Sequence, residues 1–279
     1  MTTIALPRAI EQQPVEQKGS RIGWAIQDTL TVTKRNLIAL TRTQEAVFFA
    51  AVQPIMFTLL FVYVFGGAIH TSVPYVDYLI PGIYVQTVTF GAVSTAVGLS
   101  EDLHKGLIER FRALPMARSA VLAGRTTADL VRNVFVVVLI SIVGFAVGFR
   151  IGTNFGLFLC GVLIVLLFSY TLCWGFATVG LSAPNAETAQ TMVFPILFPF
   201  VFASSAFVPV SAMPGWLQAF ANHQPLTPMV DTIRALTLGA HATTILGHPA
   251  TYYLGPALIW TAGILAVCAP LAVARYRRG

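Results

Sequence analysis

Apolar residues fall in six long runs along this chain, and no charged residue or histidine interrupts any of them. The runs are Ala46–Phe65, Ile80–Leu99, Val134–Phe149, Phe155–Leu181, Met192–Val210 and Leu254–Val273. A helix needs about 20 mostly apolar residues to cross the hydrocarbon layer of a membrane. Only helices and closed barrels satisfy their backbone polar groups there. Barrel strands alternate polar and apolar positions, and these runs do not. The pattern predicts an all-α polytopic membrane protein with six transmembrane helices.

The segments between the runs have patterns of their own. Residues 1–19 hold Pro7, Pro14 and a Gln/Glu-rich stretch, and read as a disordered N-terminal tail. In residues 20–45, Ile22, Ile26, Leu30, Leu37 and Leu40 recur near multiples of a helical turn, with Gln27, Asp28, Thr31, Lys34 and Arg35 elsewhere. That pattern predicts a basic amphipathic helix in the membrane interface. Residues 46–279 form the six-span domain. Gln53-Pro54 predicts a kink in span 1, Gly66-Gly67 ends it, and Pro81-Gly82 opens span 2. Span 2 has a polar stripe with Gln86, Thr87, Thr89, Ser94 and Thr95. Span 5 carries Pro195 and Pro199 and is expected to bend.

Two connections are more than turns. In segment 100–125, Ser100 is expected to cap a helix whose first turn holds Glu101 and Asp102. Leu103, Leu107, Ile108 and Phe111 would make its apolar face, with Glu109, Arg110 and Arg112 elsewhere. Leu114-Pro115 would break it, and a second short helix would lead into span 3. Segment 211–251 carries two short helix signatures. Pro214 precedes Trp216-Leu217 and Phe220, and Thr227-Pro228 gives an N-cap and first-turn proline, with a stop at Gly239. Their apolar residues predict packing on the outer ends of the spans. Asp231 and Arg234, at i and i+3, can pair on the second helix in a structural role.

Charge adds a direction. The chain has 279 residues, 56% hydrophobic and 10% charged, with a mean hydropathy of +0.75 and a net charge of +6. The basic residues are not spread evenly. Arg8, Lys18, Arg21, Lys34, Arg35 and Arg42 precede span 1, and Lys105, Arg110, Arg112, Arg118, Arg125 and Arg132 follow span 2. Arg275, Arg277 and Arg278 end the chain, which leaves only Arg150 and Arg234 for the opposite side. The positive-inside rule then places both termini in the cytoplasm. Basicity here encodes topology and contact with membrane lipids, and no nucleic-acid partner is expected.

The chemistry of catalysis is missing. There is no G-x-x-x-x-G-K-[ST] phosphate loop, GxSxG elbow, HExxH or Cys/His metal cluster. Cys160, Cys173 and Cys268 lie within spans and read as small packing residues. Uncharged spans disfavour ion-coupled carriers and charged-ring channels. A transported substrate would then be driven by a partner chain, along a route of aromatic, aliphatic and hydroxyl groups. Candidate pathway residues are Gln86, Thr89, Phe90 and Ser94 on span 2, and Phe200, Ser204 and Ser205 on span 5. The alternatives are an integral-membrane lipid-modifying enzyme, which would need clustered His, Asp or Glu at one interface, and a non-transporting membrane scaffold.

Several stretches carry a family resemblance: Gln53-Pro54, the G-L-I-E-R-F-R-A-L-P-M-A-R-S stretch within Glu101–Arg125, Phe207–Pro228, and D-T-I-R-A-L at Asp231–Leu236. Over about residues 20–278 the chain resembles the membrane subunits of ABC-2 type (type V exporter-like) exporters, and among them the daunorubicin/doxorubicin-resistance permeases. The resemblance implies a permease of a bacterial plasma (inner) membrane that is not itself an enzyme, moving hydrophobic or amphiphilic compounds, drug or lipid, out of the cytoplasm or inner leaflet. It implies a second permease subunit, identical or sister, and a cytoplasmic ABC ATPase that carries ATP and Mg, with no cofactor on this chain. Helix 20–42 would be the connecting helix. Leu103, Leu107, Glu109, Arg110, Phe111 and Arg112 would form the coupling element docked on the ATPase, and the helices before span 6 would cap the exit.

Overall fold

The computed structural model describes residues 21–42, 44–69, 71–112 and 118–278. The expected tail at 1–19 and the Leu114-Pro115 break lie outside them. The described residues form helices and turns, with no strand among them. Helix α1 (Arg21–Arg42) precedes α2 (Gln44–Leu60), which continues into a π-helical turn at Phe61–Phe65. Then come α3 (Tyr75–His104), α4 (Leu107–Arg112), α5 (Arg118–Val147), α6 (Phe155–Gly180) and α7 (Ala186–Phe202). Three short helices, α8 (Gly215–His223), α9 (Leu226–Leu238) and α10 (Ala240–Leu246), lead to the long α11 (Ala250–Arg278).

Helices α3, α5, α6 and α11 are long and apolar enough to cross a membrane, and Ala51–Phe65 and Ala186–Phe202 are shorter apolar helices. The fold is therefore helical and polytopic. Helix α3 is the hub: 72% of its apolar window is buried, against 17% for α11. It packs against α5, α6, α7 and α9 through residues such as Leu79, Ile80, Ile83, Tyr84 and Val88. Gly82 makes one of these contacts possible, since a Cβ there would lie 2.0 Å from the Ala206 carbonyl oxygen.

Several local expectations change. The second apolar helix starts at Tyr75, with Pro81 inside it rather than at its opening. Ser100 caps nothing: α3 runs on to His104, and the Ser100 hydroxyl donates to the Ala183 carbonyl at 3.2 Å. Glu101 and Asp102 therefore sit in a last helical turn, where the helix dipole disfavours acids. Cations offset this, with Lys105 3.1 Å from Glu101, and Arg35 and Arg125 at 3.8 and 3.5 Å from Asp102. Among the described residues no separate short helix leads into the third span. Helix α5 is continuous from Arg118, so Arg125, Asp129 and Arg132 share one helix with the apolar run. The fifth run is helical only to Phe202. Pro225 rather than Thr227 caps α9, and Thr227 and Pro228 lie within its first turn.

Other local signals fold as their chemistry dictates. Asn154 and Asn185 cap α6 and α7, each accepting from the backbone N–H three residues on. Gly239 ends α9 at φ +58°, a conformation that glycine adopts without steric cost. Pro54 lies inside α2, and Pro195 and Pro199 inside α7. Helix α1 lies along α5, burying Val32, Thr33 and Asn36 and exposing Trp24, Ile26 and Leu30. Its close approach is at Gly124, where a Cβ would lie 2.7 Å from the Val32 side chain.

Candidate functional site: two cavities and a file of rings

A small cavity of about 110 Å³ opens between α2, α3 and α5. Gln53 and Pro54 line it from α2, Gln86, Phe90 and Ser94 from α3, and Arg132 and Asn133 from α5. The span-2 candidates Gln86, Phe90 and Ser94 thus meet at one place. Thr89 does not line it, and its hydroxyl donates back to the Val85 carbonyl. Gln86 is buried, yet neither its amide nitrogen nor its amide oxygen has a partner, and the buried Thr87 hydroxyl beside it has none either. Buried amides are almost always bonded, so these atoms stand out within the helix.

Below the cavity, charges on three helices form a chain. Asp129 is buried and receives Thr95 Oγ1 at 2.7 Å and Ser94 Oγ at 3.4 Å. Arg125 lies 3.4 Å and Arg132 3.8 Å from its carboxylate. Arg125 also reaches Asp102, which Arg35 of α1 meets as well. Arg132 donates to the Gly91 carbonyl and, at 3.4 Å, to Asn133 Oδ1, while Asn133 donates to Ser169 at 2.7 Å. The sequence reading missed this chain. Its members lie outside the apolar runs, and their pairing depends on helices far apart in sequence.

From the cavity a file of phenylalanine rings follows α7 and α2. Phe90 meets Phe198 at 5.6 Å between centroids, Phe198 meets Phe202 at 5.5 Å, and Phe202 meets Phe207 at 5.3 Å. Phe207 then meets Phe61 at 4.4 Å, and Phe61 meets Phe65 at 5.1 Å. These spacings are those of favourable ring pairs. Phe198, Phe202 and Phe65 are partly exposed, so one side of the file is open. Of the span-5 candidates, Phe200 points elsewhere, to Phe220 at 5.4 Å. Ser204 bonds back to the Val201 carbonyl.

Ser205 belongs to a second cavity, of about 560 Å³, among α8, α9, α10 and the start of α11. The Asp231–Arg234 pair read from the sequence is its floor, at 2.8 Å. Arg234 is fully buried and donates to the Tyr78 and Ser205 carbonyls, with its guanidinium 3.7 Å from the Tyr78 ring centroid. Ser205 donates to Asp231 Oδ1 at 2.8 Å. Burial pushes the Asp231 carboxyl above the ordinary carboxylate range, while Arg234 and Ser205 pull it down.

In the expected coupling segment, Ile108 is buried in a cluster with Leu99, Leu122, Trp174 and Tyr276, and Leu103 packs against it. Leu107 is half-buried and Glu109 exposed. The side chains of Arg110, Phe111 and Arg112 lie outside the described residues. Among the described residues no group of His, Cys, Asp or Glu could hold a metal ion.

The family described as ABC-2 type transporter matches residues 27–238. The daunorubicin resistance ABC transporter permease protein DrrB1 of Streptomyces coeruleorubidus is 32% identical over 91% of this chain and 87% of its own length. The probable doxorubicin resistance ABC transporter permease protein DrrC of Mycobacterium tuberculosis is 28% identical over 95% of this chain and 93% of its own. A putative transport permease, ycf38, of Cyanophora paradoxa is 25% identical over 76% and 74%. With its apolar helices gathered around α3 and a family match over most of its length, the chain belongs to the ABC-2 type transporter family and is a membrane permease subunit of that class.

Proposed function

We propose that this permease exports amphiphilic compounds, entering beside Gln86 and leaving at the end that carries α8 to α10. The observation that carries the reading is the unpartnered Gln86 amide, set in a cavity from which the file of rings departs. A polar group can bond to Gln86 and Arg132 while an apolar body stacks on Phe90. The rings then offer successive apolar platforms across the membrane. Drug resistance in the names of the relatives supports a drug-like amphiphile as cargo. The distribution of basic residues favours cytoplasmic termini, which puts the smaller cavity nearer the inside of a bacterial plasma membrane.

ATP and Mg²⁺ would be held by a partner ATPase, and a second permease subunit would complete the route. Leu107, Glu109, Arg110, Phe111 and Arg112 are the proposed contact with that ATPase. Leu103 would stiffen the contact from within, since it packs on the molecule's own cluster. Helix α1, with Trp24, Ile26 and Leu30 exposed, would lie in the headgroup layer.

Inverted membrane vesicles holding the permease and its ATPase test this, with doxorubicin as the probe. ATP-dependent uptake is expected. Gln86→Leu should lower kcat/KM about tenfold, the scale of a lost hydrogen bond to a polar group. Unchanged uptake kinetics in the double change Gln86→Leu, Phe90→Ala would move the route elsewhere.

A further inference from the structure

The larger cavity is built to accept a hydrogen-bond donor. Its volume of about 560 Å³ lies in the range of small-molecule sites. Every nitrogen of Arg234 is already engaged, by the Tyr78 carbonyl, the Ser205 carbonyl and Asp231 Oδ1. Four of the five guanidinium N–H donors are spent in these bonds, one Nη1 N–H remains outside them, and the charge is answered by Asp231. Asp231 is the reverse case. Its Oδ1 takes both Ser205 and Arg234, while Oδ2 takes part in neither bond, and the residue lines the cavity. Thr227, which also lines it, is buried and its hydroxyl has no partner.

The wall opposite is aromatic. Tyr252, Tyr253 and Trp260 of α11 line the cavity, with Tyr252 58% and Trp260 40% exposed. His248 stacks on Tyr252 at 4.2 Å, and Tyr253 meets Tyr252 edge-on at 5.1 Å. From Tyr252 to Trp260 the wall runs roughly 12 Å along the helix. The Tyr78 face is taken by Arg234. On α11, Tyr252 shares a stack with His248, and Trp260 enters no ring pair among the described residues. A carboxylate oxygen outside the Arg234 pair, facing exposed rings, suits a hydrogen-bond donor such as an amine, and the rings attract its cationic form.

We propose that this cavity is a binding site for an amphiphile with a planar or apolar body and an amine or hydroxyl donor. The donor reaches Asp231 Oδ2 and the Thr227 hydroxyl, and the body lies along Tyr252 and Trp260. The site is separate from the Gln86 cavity and stands whether or not its ligand is the compound exported.

The test uses the permease with its ATPase in lipid nanodiscs, without nucleotide. The probe is dansylcadaverine, a dansyl ring system ending in a primary amine, compared with its N-acetyl derivative. Saturable binding is expected, with energy transfer from tryptophan that falls sharply in Trp260→Phe. Acetylation, Thr227→Val and Tyr252→Leu should each weaken binding by about tenfold or less. Thr227→Val and Tyr252→Leu leave the Asp231–Arg234 pair intact, so they read the site without breaking the floor. Equal binding of the acetylated probe, or transfer that survives Trp260→Phe, would each overturn the assignment. Failure of uptake in the vesicle experiment would leave these results as they stand.

Discussion

Arg234 has no exposed surface and is held by one carboxylate, two carbonyl oxygens and the face of a tyrosine. Replacing one member of a buried pair strands the other as an uncompensated charge. Arg234→Leu should therefore cost about 3–5 kcal/mol, far more than the net worth of the pair. The double change Arg234→Leu, Asp231→Leu should recover much of that loss, because apolar residues of similar size can replace a buried pair at little cost. Thermal unfolding of the purified permease in detergent measures both. A double variant no more stable than Arg234→Leu alone would show that Arg234 acts through its bonds to the Tyr78 and Ser205 carbonyls. The pair itself was legible in the sequence, since i and i+3 positions meet on any helix. Its burial was not, because Tyr78 and Ser205 come from other parts of the chain.

At the scale of elements, the charge chain from Asp102 to Arg132 joins the segment before α4 to the Gln86 cavity. Asp129 is its centre. Asp129→Asn keeps the shape and removes the charge that holds Arg125 and Arg132. It should leave basal ATPase activity of the assembled transporter near wild type while abolishing stimulation by doxorubicin. Phe111→Ala should also lose stimulation, but through loss of the co-purifying ATPase, so the two variants separate in a pull-down. Normal stimulation in Asp129→Asn would make the chain purely structural. These elements also show where sequence reading stops. The apolar runs located six apolar helices, because hydropathy is a property of neighbours along the chain. The start of α5 was hidden because Arg125, Asp129 and Arg132 resemble loop residues until Thr95 and Asp102 on α3 are brought beside them. Ser100 resembled a cap for a related reason. Its acidic neighbours suit a helix start, and only Arg35, Lys105 and Arg125 make them acceptable at an end. Gln86 could be found from the polar stripe of its own helix, whereas Gln53, Arg132 and Asn133 could not, since they reach it from two others.

For the whole molecule, the central position of α3 leaves broad apolar faces on the surrounding helices, including Met56 and Tyr63 at one edge and Ile196 and Phe198 near it. Lipid and a second permease would divide these faces between them. Orientation is set by charge, and single cysteines in a background without native cysteine would read it. Ser72→Cys and Thr243→Cys should react with an impermeant thiol reagent in intact cells, and Ser119→Cys should not. Labelling at position 119 would invert the molecule in the membrane.

The rings between Phe90 and Phe65 carry a consequence for drugs that would block such a transporter. Stacked apolar rings discriminate weakly, since a missing or extra methylene changes binding by only about 1–3 kcal/mol. Polar sites reject much more strongly, because a poor fit leaves their own groups unpaired. On the proposed route, selection would therefore belong to the polar cavity at its start, and the rings beyond Phe90 would accept almost any flat body. A flat molecule stripped of the polar group that would bond to Gln86 could still lodge among the phenylalanines, with nothing polar to draw it onward. Such a compound would be a poor cargo and, for the same reason, a good plug.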